Sequence, residues 1–309
     1  MVKEGTPGKY LLRAVVPGSR QSLIESHATR DAVDARRAAL ERAGYNVVVT
    51  LADLLAEGEF LMLEARRRLR GAFRLRDSAM YPKWYGFDHE RPELLGEAAY
   101  GLTEWCNGEL SKARLVANPG CYPTSILLAL RPLTYLIDRE QPVIIDAKSG
   151  VSGAGKKADV SYSFAELFGN FKAYGVGSHR HEPEIRQGLH LGDKATLVFV
   201  AHLLPCVRGI LSTMHIGFTH PVTDEELTQL YAKTYANAPF VRILKAGQLP
   251  ELKDVVNTPR ADIGWRLLQG GRRAVIVSVI DNLLKGAASQ AVQNFNRMYG
   301  FPETEGLLP

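Results

Sequence analysis

Apolar and polar positions along this chain fall into two textures that meet near Gly71. Upstream, Tyr10–Val16 reads as a short strand, Asp31 to about Ala43 as a helix ended by Gly44, and Val47–Thr50 as a second short strand. Downstream, short apolar runs are punctuated by aromatics, glycines and prolines, the texture of a compact α/β or α+β domain. Val143–Ile145 predicts a buried strand that ends at Asp146 and feeds the glycine-rich loop Gly150–Gly155. Thr196–Leu203 and Ile210–Phe218 read as further strands, and Asp224–Asn237 as an amphipathic helix opened by Thr223 or Asp224. Gly270–Gly271 between Trp265–Leu268 and Ala274–Ile280 signals a hairpin, and a helix of about Gly286–Met298 closes the chain. No internal repeat and no low-complexity tract interrupts this order.

With 309 residues and 46% hydrophobic content, the chain can give two domains a packed core each. Its longest uncharged apolar runs, such as Ile126–Leu130, fall far short of the ~20 residues a membrane span requires, so no membrane partner is expected. Charged residues and glycines in Met1–Tyr10 stand where an export signal would be apolar. The three cysteines, Cys106, Cys121 and Cys206, make neither a paired framework nor metal-ligand spacing, so a reducing cytoplasm and no metal are expected. The net charge of +5 is modest, and its densest point, Arg66, Arg67, Arg68 and Arg70, reads as a solvated face; no nucleic-acid motif accompanies it.

Two segments carry chemistry. In Asn118-Pro119-Gly120-Cys121-Tyr122-Pro123-Thr124, Pro and Gly make a sharp turn, Cys121 opens a helix, and Pro123 sits in the first turn, where its missing N–H is no loss. A sulfur at a helix N-terminus meets unpaired N–H groups and partial positive charge, which favour thiolate and can later hold an oxyanion. The alternative for a free cysteine is a small buried hydrophobe, and that reading is kept for Cys106 and Cys206. In Gly177-Ser178-His179-Arg180-His181-Glu182-Pro183-Glu184-Ile185, two histidines flank an arginine before a helix start. An imidazole suits proton transfer to and from a thiol, and a guanidinium suits an anionic substrate.

Both segments resemble the signatures of the N-acetyl-γ-glutamyl-phosphate reductase family. The resemblance extends through Ala72–Asp77, Lys83–Gly86, Tyr100–Leu102, Gly150–Gly155, Arg208–Leu211 and Asp281–Ala288, all in the family's order, from about Gly71 to the C-terminus. Ser125 departs from it, standing where the signature more often has Gly or Ala. The resemblance implies an α+β semialdehyde-dehydrogenase-type catalytic domain with a mixed or antiparallel sheet at residues 121–282. A truncated or divergent Rossmann-like nucleotide-binding part would be made of residues 1–120 and 283–309. It also implies reduction of an acyl phosphate by NADPH, with release of phosphate, to a semialdehyde of arginine biosynthesis. Cys121 is then the nucleophile and His179 the acid/base, with His181 as runner-up. Arg74, Arg76, Arg180 and His181 are candidates for the substrate, and Ser149, Gly150, Ser152, Gly153 and Asn282 for NADP. A homodimer or homotetramer is expected.

The first seventy residues depart from the family. Its nucleotide fold opens with a strand running into a Gly-rich turn, because only glycine lets backbone amides approach a pyrophosphate. Gly5 and Gly8 follow no strand and Gly18 stands alone, while Arg68-Leu69-Arg70-Gly71 replaces an Asp-Leu-Ser-like tripeptide. A shifted reading frame or a divergent fusion accounts for this, and residues 1–70 would then lack the adenine and pyrophosphate subsites. Three alternatives stay open: an impaired remnant of that enzyme, a dehydrogenase of aspartyl or aminoadipyl phosphate, and a hydrolase using Cys121 with His179.

Overall fold

The computed structural model describes residues 10–15, 22–27, 46–48, 73–106, 108–154, 160–192 and 195–307. It divides into two units, Met1–Arg70 and Gly71–Pro309.

In the first unit, β1 (Tyr10–Val15), β2 (Ser22–His27) and β3 (Asn46–Val48) form an antiparallel sheet of order β2-β1-β3, with Tyr10 opposite His27 and Ala14 opposite Val47. β1 and β3 fall on the two predicted strands, whereas β2 was not predicted. A nucleotide-binding β-α-β unit needs parallel neighbours, and the described pairings of this unit are antiparallel. The predicted helix Asp31–Ala43 lies outside the described residues.

In the second unit, β4 (Ala99–Tyr100) runs parallel to β5 (Val116–Ala117), which leads into the Asn118–Gly120 turn. The main sheet has seven strands: β6 (Val143–Gly150), β7 (Lys172–Tyr174), β8 (Leu197–Leu204), β9 (Ile210–Gly217), β10 (Val241–Ile243), β11 (Ala261–Leu268) and β12 (Arg273–Ile280). Their order is β10-β11-β12-β9-β6-β8-β7, and the sheet is mixed: β6 is parallel to β8 and antiparallel to β9.

A period of two explains the one buried face of β6, β8 and β9, whereas β11 and β12 are buried on both faces, with Asp262, Val277 and Val279 covered as well. Val143, Ile145 and Ala147 of β6, Leu197, Phe199 and Ala201 of β8, and Ile210, Met214 and Ile216 of β9 point into one core, while Ile144 and Val198 on the other face are 36% and 39% exposed. The helix Cys121–Leu130 packs on the buried face, which is why it is apolar on all sides and buried from Tyr122 to Leu130. Thr124 and Ser125 are its polar exceptions: Thr124 Oγ1 donates to the Gly120 carbonyl at 3.0 Å, and Ser125 turns to the sheet. The Ser125 hydroxyl reaches Ser212 Oγ on β9 at 2.9 Å and Ser278 Oγ on β12 at 3.1 Å, so the departure from a small apolar residue is matched by two buried partners.

The helix predicted from Asp224 spans Asp224–Thr234, and Thr223 caps it in a reciprocal box with Glu226. Tyr231 from this helix stacks on the fully buried Trp265 and donates to the Ala129 carbonyl, tying the helix to the end of the Cys121 helix. The predicted hairpin is β11–β12, turned by Gln269–Gly271 with Gly270 at φ 62°. The terminal helix begins later than predicted, at Ser289, after a π-helical turn over Leu284–Ala288. Among the described residues no helix is long and apolar enough to cross a membrane.

Candidate active site

Cys121 is the first residue of its helix. Gly120 is the extended N-cap at φ −68° and ψ 153°, and the first helical bond runs from Thr124 N–H to the Gly120 carbonyl at 2.9 Å. Cys121 as a residue is half-buried, and Tyr122, next along the helix, is buried. The short turn before it leaves room for nothing larger than glycine, because a Cβ at Gly120 would stand 2.4 Å from His181 Nε2.

Arg74, His181 and Glu184 close around this turn. The Glu184 carboxylate, wholly buried, accepts the Gly120 N–H at 2.9 Å and the Tyr100 hydroxyl at 2.7 Å. Arg74 donates Nε to the Asn118 carbonyl at 2.8 Å, places Nη1 3.8 Å from Glu184 Oε2, and approaches His181 Nε2 at 3.5 Å. A guanidinium only donates, so His181 Nε2 carries the lone pair there. His179 accepts the His181 backbone N–H through Nδ1 at 3.1 Å, which leaves Nε2–H as the donor of its neutral ring. Tyr122, Tyr174 and Phe199 pack around the His179 ring with centroids 5.4 to 5.6 Å away, and the Tyr122 and Tyr174 hydroxyls are 3.0 Å apart.

The electrostatics refine the expectation drawn from the helix N-terminus. Burial pushes the Cys121 thiol up; Arg74, the Tyr122 N–H and Arg180 oppose it, and Glu184 adds to it. The helix end alone does not make a resting thiolate. Burial, with Arg180 beside it, holds His179 down at about 4, and burial with His179 and Arg74 nearby holds His181 well below the usual imidazole range. Both rings are therefore neutral near pH 7, and a neutral imidazole can accept a thiol proton.

The other sequence candidates divide. The Arg180 side chain is exposed and its charge is felt at Cys121 and His179, whereas the exposed Arg76 side chain acts on Arg131 and His190, away from the thiol, and its backbone N–H is held by Gln187 Oε1 at 2.8 Å. Ser149, Gly150, Ser152 and Gly153 lie at the end of β6 and in the turn beyond it, where the Gly150 N–H donates to the Gly209 carbonyl. Asn282 is 2% exposed and stands behind this turn. Its carbonyl takes the Gly209 N–H at 2.7 Å and its amide donates to Ser152 Oγ at 2.9 Å, so it places the loop and has no exposed face of its own. Sequence reasoning missed Glu184, Tyr100 and Gly286 as parts of the site, although Glu184 lies inside the histidine segment.

A helix-borne cysteine beside buried imidazole, guanidinium and carboxylate, on the covered face of a mixed sheet, places the chain among the semialdehyde dehydrogenases by fold. Aspartate semialdehyde dehydrogenase II from Vibrio cholerae superposes with a TM-score of 0.52 at 16% identity, over 71% of this chain and 76% of that one. The same enzyme complexed with ASA superposes equally, over 72% and 76%. Residues 121–282 match the family model described as semialdehyde dehydrogenase, dimerisation domain. Sequence relatives are more specific. N-acetyl-gamma-glutamyl-phosphate reductase of Geobacillus kaustophilus is 46% identical over 242 residues, 77% of this chain and 70% of that protein. The enzyme of Pelotomaculum thermopropionicum is 49% identical over 254 residues, 79% and 73%, and that of Bordetella pertussis 45% over 262 residues, 83% and 72%. The chain belongs to the N-acetyl-γ-glutamyl-phosphate reductase family.

Proposed function

We propose that the chain reduces N-acetyl-γ-glutamyl phosphate to N-acetylglutamate semialdehyde, with NADPH as reductant, in arginine biosynthesis. The observation that carries this reading is the convergence of Arg74, His181 and Glu184 on the Gly120–Cys121 turn. Cys121 Sγ attacks the acyl carbon, and the C–O bond to phosphate breaks to leave a thioester and inorganic phosphate. His181 is favoured over His179 as the base for the thiol proton, because its lone-pair nitrogen packs against Gly120. His179, presenting Nε2–H, suits donation to the oxygen that gains charge, alongside the N–H groups at the helix start. Arg74 draws the anionic substrate to the thiol, with the exposed Arg180 beside it.

The nicotinamide end of the coenzyme fits the Ser149–Gly153 turn. Gly153 is exposed, and a Cβ there would stand 3.1 Å from Ser149 Oγ and 3.4 Å from Asn282 Nδ2, so glycine leaves the most room in this turn. The Ser149–Gly153 turn would hold the nicotinamide end, and the chemistry that group would supply when bound is hydride transfer to the thioester. The division into a nucleotide-binding part at 1–120 with 283–309, and a catalytic part at 121–282, is supported on one side by bonds across the 99–120 and 283–303 segments. Gln290 and Asn294 donate to the Gly101 carbonyl, and Lys285 donates to Glu104. Ile144 and Val198 on the uncovered sheet face support a homo-oligomer formed through that face.

The test is phosphate-dependent oxidation of N-acetylglutamate semialdehyde, with NADP binding measured by calorimetry. Turnover that Cys121→Ser abolishes supports the reading. Turnover with aspartate semialdehyde alone would give the site to the other branch. Absence of NADP binding would leave the impaired remnant.

A further inference from the structure

Lys285 is a wholly buried ammonium outside the chemistry described above. It sits in the π-helical turn Leu284–Ala288, a widened turn of the kind that recurs at functional sites. Its Nζ donates to Glu104 Oε1 and, at 2.6 Å, to Gln293 Oε1; Gln293 in turn donates to Glu104 at 2.9 Å and to Glu303 at 2.7 Å. Burial pushes the ammonium down and Glu104 opposes that shift.

The next residue touches the nucleophile. A Cβ at Gly286 would lie 2.8 Å from the Cys121 Cβ, so the backbone of the π turn packs directly on the cysteine. The same turn is fixed at its other end, where Asn118 Nδ2 donates to the Ala287 carbonyl at 3.2 Å and Asp281 accepts the Leu283 and Leu284 N–H groups. Asn118 belongs to the turn that presents Cys121. The cysteine is therefore gripped between its own turn and a π turn whose only buried cation is Lys285 among the described residues of that segment.

We infer that Lys285 is a positioning residue for Cys121: held by Glu104 and Gln293, it fixes the Leu284–Ala288 turn so that Gly286 keeps the thiol at the helix N-terminus beside Arg74. This rests on Cys121 being the nucleophile, and the test reads the thiol's position without requiring turnover. Removing one member of a buried ion pair strands the other charge, whereas removing both is often tolerated. Lys285→Met and the double variant Lys285→Met with Glu104→Gln are compared with the parent. Iodoacetamide alkylation of the Cys121 peptide is followed by mass spectrometry from pH 6 to 10, with Cys106 and Cys206 as internal references. The expected result is a Cys121 rate at pH 8 reduced at least fivefold in the double variant, with a raised pH midpoint and with Cys106 and Cys206 within twofold. An unchanged or faster Cys121 rate in a folded double variant would overturn the inference and leave Lys285 a purely structural ion pair. If neither variant folds, Gln293→Leu, which keeps both charges and removes the Gln293 bonds to Lys285, Glu104 and Glu303, decides by the same criterion. Loss of turnover in Cys121→Ser is scored separately, so failure of the nucleophile reading and failure of this one are distinguishable.

Discussion

Glu184 reaches across from the helix Glu182–Gly188 to accept the backbone N–H of Gly120, the residue before Cys121, at 2.9 Å. The same oxygen takes the Tyr100 hydroxyl, so one buried carboxylate fixes the turn and faces Arg74. Glu184→Gln keeps an acceptor but removes the charge that pushes the thiol up, so the Cys121 alkylation midpoint should move to lower pH. Glu184→Ala strands two buried donors, and chemical denaturation should show a loss of about 3 kcal/mol, the order expected for two unsatisfied groups.

Arg74 acts on the thiol in the opposite sense. Its positive charge is the largest influence opposing burial at Cys121. In Arg74→Ala the midpoint should rise, and alkylation at pH 8 should slow about tenfold, because the thiolate fraction falls by about that factor when the midpoint climbs by roughly one on the pH scale. A variant with an unaltered midpoint would separate Arg74 from thiol activation.

Acid stability should report the histidine pair. His179 is held at about 4 in the fold, against about 6.5 for a free imidazole. Between those values the unfolded chain binds the proton and the native one does not, so stability falls as pH drops from 6.5 towards 4 and is flat in this contribution above 6.5. His181 acts with the same sign. Melting temperatures across that range should show the fall in the parent and a shallower one in His179→Gln.

Ser125 should matter through the sheet. Its hydroxyl is shared with Ser212 and Ser278, both fully buried. Ser125→Ala fits the space but weakens a three-hydroxyl cluster, and a loss of about 1–2 kcal/mol in urea denaturation is expected. A variant as stable as the parent would mean that Ser212 and Ser278 satisfy each other.

The sequence by itself determined the elements whose signals are local. Apolar runs marked β8 and β9, Gly270–Gly271 marked the hairpin that makes β12, Thr223 or Asp224 marked the start of an amphipathic helix, and Pro-Gly-Cys-Tyr-Pro marked a cysteine at a helix start; each is written within a few residues of itself. β6 ran four residues past its predicted end at Asp146 because pairing with both β8 and β9 carries Asp146 and Lys148 as strand residues on the uncovered face. Only the tertiary structure decided which groups meet Cys121. Glu184 lies 64 positions from Gly120, and Gly286 lies farther still from the cysteine it touches, so no local pattern encodes either approach. The thiol's ionisation was decided there as well, since burial raises it and Arg74 lowers it, and both depend on what the folded chain packs around the sulfur.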